Sequence, residues 1–478
     1  MLALIMLASA ALTIPQLGLR SLWWDEFFSW WQATLDLKDL WQITWNFGEV
    51  NMFAYSGLLN IWSRWGDSEF WLRLPSALFA VGAVWAVARL GSILFEPRVG
   101  LTAALIMALN GFLVFYGQEA RTYSMLLFLA TLSSYLLVRA LKDGELRYWF
   151  GFVVVSILCG YTQVFGALQV FSQVFIVGFL VYAASKRVPK RLMITAGFVL
   201  LGMLPLIWFV LTVVLTNFGG AVSWIPRPTL GSLALIVKSL VGGGVMLLTY
   251  VPLIVFGLAR RYRDKIPITG GGSFSPAAYV VLCFAVPMAL VFGISLIKPL
   301  TVPRYLIATV SPLALAAAVG VMAIPRRALR TVALVVVAAL AFRSSVAQLA
   351  RGTGEDFRSA TNHILQGAMP GDALLFCLPD AKMGFDYYAR DKGVVPPTVY
   401  PKESRPYKKE LLFGEPGAPS PDDIATLAAG YDRVWMLRTH DKRGTCGPPL
   451  LAALGKTHVI LEEKEFPEVR VVRLAKRV

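Results

Sequence analysis

Histidine is nearly missing from this 478-residue chain: there are three, and none precedes His363. An imidazole base or a His-rich metal site is therefore excluded from everything before that position. Carboxylates are scarce as well, and between Leu146 and Arg351 the only one is Asp264. Charged residues make up 15% of the chain, against about 25% in ordinary soluble domains. The four cysteines show no CxxC pairing and no metal-ligand spacing. Cys159 and Cys283 lie in apolar runs and read as small core residues. Cys377 and Cys446 are able to pair in an oxidising compartment, but spacing alone does not decide whether they do.

What is abundant is apolar surface. Hydrophobic residues reach 56% and the mean hydropathy is +0.62. A single soluble core stops growing at about 250–300 residues, so this excess points to lipid. Runs such as Gly197–Leu215 and Tyr279–Leu296 approach or pass the ~18-residue threshold for a transmembrane helix. Eleven spans are expected, near 1–19, 72–94, 99–117, 122–141, 148–162, 165–185, 192–216, 244–259, 277–297, 304–323 and 331–349.

Charge is split unevenly along this pattern. Before Arg351 there are 26 basic and 12 acidic residues; from Arg351 on there are 19 and 17. The basic residues concentrate in alternate short connections, such as Lys186-Arg-Val-Pro-Lys-Arg191 and Arg326-Arg-Ala-Leu-Arg330. Basic loops stay cytoplasmic, which predicts the N-terminus inside and the C-terminus outside a bacterial plasma (inner) membrane. A nucleic-acid partner would instead call for a basic face on a soluble fold. Ala8-Ser9-Ala10 resembles a signal-peptide cleavage site, but no basic region precedes it, so a retained helix is expected.

The expected domains are a transmembrane module over 1–350, with a Trp-rich first outer loop at 20–71, and a soluble α/β domain over 351–478. In the latter, Glu355 to Gln366 reads as an amphipathic helix. Ala373–Leu378, Arg433–Leu437, His458–Leu461 and Val469–Leu474 read as strands. Pro396 to Pro421 reads as a long loop, and Gly270-Gly-Gly-Ser273 as a flexible connector.

Scarcity then narrows the chemistry. If the outer face carries out acid–base work, carboxylates in the first 120 residues must supply it. Asp25-Glu26 follows the first span directly, and Glu119 with Arg121 occupies the tight turn between the third and fourth. Ionised groups beside apolar helix ends need a partner or a purpose. The alternative is structural: Asp25-Glu26 caps a helix and Glu119 pairs with Arg121. Lys298 and Arg304 put two cations at the outer ends of the ninth and tenth spans, where positive charge is disfavoured. They suit an anion such as a lipid phosphate, or else they snorkel to headgroups.

These stretches carry a resemblance. Trp24-Asp-Glu26, Gly66-Asp-Ser-Glu-Phe-Trp-Leu-Arg-Leu-Pro-Ser-Ala-Leu78, Tyr116 to Tyr123, Tyr161-Thr-Gln-Val-Phe-Gly166, Pro303-Arg-Tyr-Leu306 and Glu355-Asp-Phe-Arg358 to Asp372 occur in order over nearly the whole chain. Together they resemble the GT-C membrane glycosyltransferases related to the protein O-mannosyltransferases and the lipid A aminoarabinose transferases. The resemblance implies a polytopic α-helical fold of about eleven transmembrane helices with a small C-terminal extracytoplasmic α/β domain. It also implies inverting transfer of a sugar from a polyprenyl-phosphate donor to a hydroxyl of a protein, lipid or glycan acceptor. By the same resemblance Asp25 is the general base and Glu26 assists it. Glu119 positions a substrate, or holds a divalent metal in relatives that use one. Arg121, Lys298 and Arg304 neutralise the leaving phosphate, and Tyr123, Gln163, Tyr305, Asn51 and Arg73 line the substrate pocket.

The chain departs from the family pattern at two places. A His-Pro-Pro run common in the first outer loop is replaced by Glu49-Val-Asn-Met-Phe-Ala-Tyr55, and a frequent histidine between the fifth and sixth spans is Gln163. No cofactor is required by the sequence itself, and a lipid-linked donor accounts for the lack of a nucleotide-binding Gly-rich loop. A transporter or flippase for a lipid-linked or anionic substrate is the alternative class; it would need polar groups deep within spans or paired broken helices.

Overall fold

The structure, a computed structural model, describes residues 1–46, 52–215, 225–261, 264–350, 354–401, 419–441 and 446–477. Asn51 and most of the Pro396 to Pro421 stretch lie outside the described residues. Two compact units result, one of 1–17, 40–62 and 70–351, the other of 18–39, 63–69 and 352–478.

The first unit is helical, and each of the eleven expected apolar stretches coincides with a helix in it. Among the described residues, seven helices are long and apolar enough to cross a membrane, including Tyr123–Asp143, Val164–Ser185 and Arg327–Ala350. Leu2–Thr13, Pro97–Ala108 and Leu146–Thr162 are shorter apolar helices. Large side chains on Lys190–Leu215, including Leu201 and Trp208, point outward, as a surface facing lipid requires. The chain is thus a multi-pass membrane protein.

One stretch is broken where hydropathy suggests a single helix, and the break has a local cause. The third breaks at Asn110, whose Oδ1 accepts the N–H groups of Phe112 and Leu113 at 2.9 and 3.1 Å. That starts a second, short helix, Gly111–Tyr116, in the manner of an N-cap. The Leu230–Leu240 and Gly244–Arg260 helices bend by 88° through Gly242 and Gly243, with φ of +90° and +136°, values that favour glycine. Elsewhere, helices approach closely where side chains vanish: a Cβ on Gly257 would sit 2.5 Å from the Gly320 backbone. The Gly270–Gly272 connector is the turn of a two-stranded hairpin, β1 (Ile266–Pro267) and β2 (Ser273–Phe274).

Polar side chains inside the bundle answer one another. Ser133 donates to Gln173 Oε1 at 2.8 Å, and Gln173 donates to the Ala130 carbonyl at 2.9 Å. Ser134 and Tyr279 lie 2.6 Å apart, Thr131 bonds Ser311, and Gln169 donates to the Cys283 carbonyl. Such pairing removes the cost of dehydrating each group. The cavity they line holds about 20 Å³, enough for roughly one water.

The second unit is built on a five-stranded sheet: β3 (Asp372–Phe376), β4 (Thr398–Tyr400), β5 (Arg433–Thr439), β6 (His458–Phe466) and β7 (Val469–Lys476), in the order β4-β3-β5-β7-β6. β3 runs parallel to β4 and β5, while β7 is antiparallel to β5 and β6. Every residue of β3 is buried, as a central parallel strand covered on both faces should be. Phe357–Gly367 is the expected amphipathic helix. Three short helices, Pro379–Ala389, Pro421–Ala428 and Gly447–Leu454, complete the unit. Cys377 and Cys446 form a disulfide with Cα atoms 5.8 Å apart, linking the end of β3 to the last helix.

Register places Asp372 opposite Arg433. Its carboxylate takes two bonds from that guanidinium, at 2.7 and 2.8 Å, and one from Trp435 Nε1 at 2.7 Å. Burial pushes the Asp372 carboxyl up, but the bonds from Arg433, Trp435 and the Met369 N–H outweigh it and hold the group below its ordinary range. A depressed folded value means stability that is complete above the unfolded value near ~4 and lost as pH falls through the lower folded one. Asp372→Ala should therefore cost the unit ~3–5 kcal/mol at neutral pH and flatten its acid-side loss of stability. Hydrogen exchange of β3 and β5 amides at pH 7 and on acidification checks both.

Candidate active site

Asp25 and Glu26 open the helix Trp24–Thr34 in the second unit. The two adjacent acids differ in setting. Glu26 is fully buried, and its Oε2 accepts the Trp23 N–H at 3.3 Å, the acid half of a capping box. Asp25 is half-buried. Both benefit from the positive end of the helix. Capping, the structural alternative for the pair, thus belongs to Glu26.

The approach to Asp25 is fixed by groups far away in sequence. Arg358 Nη2 donates to Glu69 Oε1 at 2.6 Å and to the carbonyls of Gly18 and Arg20 at 3.1 and 3.3 Å. Tyr388 donates its hydroxyl to Glu69 at 2.9 Å and accepts the Leu22 N–H at 2.8 Å. Glu355 Oε2 accepts the Trp24 N–H at 2.9 Å, and Oε1 lies 2.6 Å from His440 Nε2. Phe27 then anchors the helix among Phe357, Tyr387 and Tyr388, with ring centroids 5.0 to 6.1 Å away. Burial in this cluster, next to Glu69, raises both tyrosine hydroxyls well above their usual range, so they remain neutral donors.

The remaining candidates lie in the first unit. Glu119 and Arg121 are buried on the turn between Gly111–Tyr116 and Tyr123–Asp143. Gln118 Nε2 ties this turn to the first helix through the Thr13 carbonyl at 3.1 Å. Ser76 donates to the Arg121 carbonyl at 3.1 Å, and Arg121 Nη2 reaches Met52 Sδ at 3.5 Å. Arg73, also buried, donates to the Leu17 carbonyl at 2.8 Å.

Arg304 sits in the 3₁₀ turn Pro303–Thr309 with its guanidinium 5.9 Å from the Tyr123 ring centroid and 5.8 Å from that of Tyr305. Tyr305 stacks on Phe165 at 4.8 Å, two residues beyond the buried Gln163. The structure therefore gathers Arg304, Tyr123, Tyr305 and Phe165 in one cationic–aromatic patch, with Arg121 two residues from Tyr123. Lys298 is half-buried past the end of Pro276–Ser295. Among the described residues no group of three or more His, Cys, Asp or Glu gathers to hold a metal ion.

Glu69, Glu355, Arg358, Tyr388 and His440 were not selected as site residues from the sequence. Glu69 lies in the stretch from Gly66 to Leu78 and Glu355 and Arg358 in the one after the last span, and those stretches were the available signals. His440, an isolated histidine, offered none.

This assembly of membrane helices with a C-terminal α/β unit is the GT-C fold of membrane glycosyltransferases, and the resemblance read from the motifs holds. In particular, the chain is similar to ArnT from Cupriavidus metallidurans in the apo state, with a TM-score of 0.65 and 13% identity over 98% of this chain and 97% of that one. The same ArnT bound to undecaprenyl phosphate gives 0.66 and 12%, with the same coverage. The oligosaccharyltransferase AglB from Archaeoglobus fulgidus, in complex with an inhibitory peptide and a dolichol-phosphate, gives 0.54 and 12% over 96% of this chain and 72% of that one. The family described as dolichyl-phosphate-mannose-protein mannosyltransferase matches residues 56–213. No curated protein sequence matches the chain.

The Arg358 fork predicts a measurable local effect. Arg358→Lys keeps the charge but not the branched geometry, at a cost of ~1–3 kcal/mol. Exchange of the amides around Leu22 and Trp24 should speed up by roughly 5–150-fold, read by hydrogen-exchange mass spectrometry, while amides of β3 and β5 stay protected.

Proposed function

We propose that the chain is an inverting glycosyltransferase that moves a sugar from a polyprenyl-phosphate donor to an acceptor hydroxyl on the extracytoplasmic face of a bacterial inner membrane. The observation that carries this reading is the likeness in fold, over nearly the full length of both chains, to ArnT bound to undecaprenyl phosphate. Asp25 is the base. It takes the acceptor's hydroxyl proton as the oxygen bonds to the anomeric carbon. The bond from that carbon to the phosphate oxygen breaks on the opposite face, and polyprenyl phosphate departs with the electron pair. Configuration inverts, and Asp25 returns its proton to solvent.

The roles follow from charge and setting. A half-buried carboxylate at a helix start can hold and release a proton, whereas Glu26 is committed to the cap. Arg304 and Arg121, with Lys298, neutralise the leaving phosphate, where fixed cations in an apolar surround stabilise developing charge. Tyr123, Tyr305, Gln163 and Arg73 shape the pocket, and Glu119 orients a substrate. The Cys377–Cys446 disulfide supports an oxidising location for the C-terminal unit, in agreement with the basic loops lying inside. Transport fits less well: Ser133, Gln173, Ser134, Tyr279 and Gln169, buried within the bundle, bond to other protein groups.

Asp25→Asn tests the base. Transfer of labelled sugar from polyprenyl-phosphate sugars extracted from the native membranes should fall by ~10²-fold or more, with thermal unfolding unchanged. Turnover near that of the parent chain would remove Asp25 from the role.

A further inference from the structure

A second cavity, of about 370 Å³, opens in the second unit between the end of β5 and the β6–β7 hairpin. Its volume falls in the ~300–1,000 Å³ range of small-ligand sites. It also lies at the carboxyl edge of a parallel strand, where open α/β sheets receive ligands. Arg438, His440 and Asp441 form one wall, and Glu465, Phe466 and Arg470 the other.

One wall is shared with the base. His440 Nε2 meets Glu355, whose other oxygen holds the Trp24 N–H, and the His440 and Trp24 rings pack edge to face at 4.6 Å. Asp25 is the next residue. The backbone is unusual here as well: His440 and Glu468, on opposite walls, have φ of +53° and +51°. Side chains other than glycine rarely adopt this region, and where they do the surroundings hold them there, often at ligand sites.

The lining indicates what fits. Arg438 already faces Asp441 at 3.2 Å, and Arg470 faces Glu463 at 3.1 Å and also Glu465. With Glu468 added, the described residues of the walls carry no surplus of positive charge, so a phosphate gains little from them. Sugar hydroxyls, each both donor and acceptor, can bridge carboxylate and guanidinium, and the Phe466 ring offers an apolar face to ring C–H groups.

We propose that this cleft is a glycan-binding subsite that presents acceptor hydroxyls to Asp25; its acceptor role rests on the transferase reading above. The test uses the full chain in lipid nanodiscs on an array of defined mannan, arabinan, glucan, galactan and amino-sugar oligosaccharides. The parent chain should capture members of one glycan class, and Phe466→Ala and Arg470→Gln should each cut that capture at least tenfold with thermal unfolding unchanged. Capture of none of these glycans by the parent chain, or capture that both well-folded variants retain, would overturn the proposal. Because capture needs no donor, it is read apart from transfer. Glycans held through the cleft by a chain that transfers no sugar would strike the transferase reading and leave the glycan site standing.

Discussion

The guanidinium of Arg358 is the constraint on which the rest of the second unit depends. It joins the carboxylate of Glu69 to backbone carbonyls between Gly18 and Arg20. Three stretches remote in sequence, 18–39, 63–69 and the chain beyond 351, are thereby held as one body. A planar fork with five donors can serve a carboxylate and several carbonyls at once, which an ammonium group cannot do. Burial of Phe27 among three aromatic rings adds apolar surface to the same junction, and the geometry at Asp25 is inherited from it.

Within this frame two neighbouring carboxylates take different parts. Glu26 is buried and answers a backbone N–H, so moving its proton would undo the start of the helix. Asp25, one position earlier on the same turn, is half-buried. The helix end stabilises both charges. Preorganisation of this kind is general in active sites: groups that hold the geometry are separate from the group that reacts.

The membrane unit solves a different problem. With no water in the hydrocarbon region, each polar side chain must find a protein partner. Thr131, Ser133, Ser134, Gln169 and Gln173 do so in pairs across helices. The cationic–aromatic patch around Arg304 is different in kind, since it places positive charge against the rings of Tyr123 and Tyr305, an arrangement that suits an anionic ligand beside lipid.

By itself the sequence determined the helices and the chemistry of the residues available. Long apolar runs stand out from composition alone, so the eleven apolar stretches and the change in composition near residue 350 were legible directly. The near absence of histidine and the thin scatter of carboxylates drew attention to Asp25, Glu26 and Glu119 for the same reason. Tertiary structure alone decided that Glu26 caps its helix, because capping depends on which oxygen meets Trp23. It also decided that Cys377 pairs with Cys446, since a separation of 69 residues says nothing about distance in space. Short β4 and the helices Pro421–Ala428 and Gly447–Leu454 carry too few residues for periodicity to show. The link from His440 through Glu355 to Trp24 spans more than 400 residues, and no local pattern encodes a contact of that range.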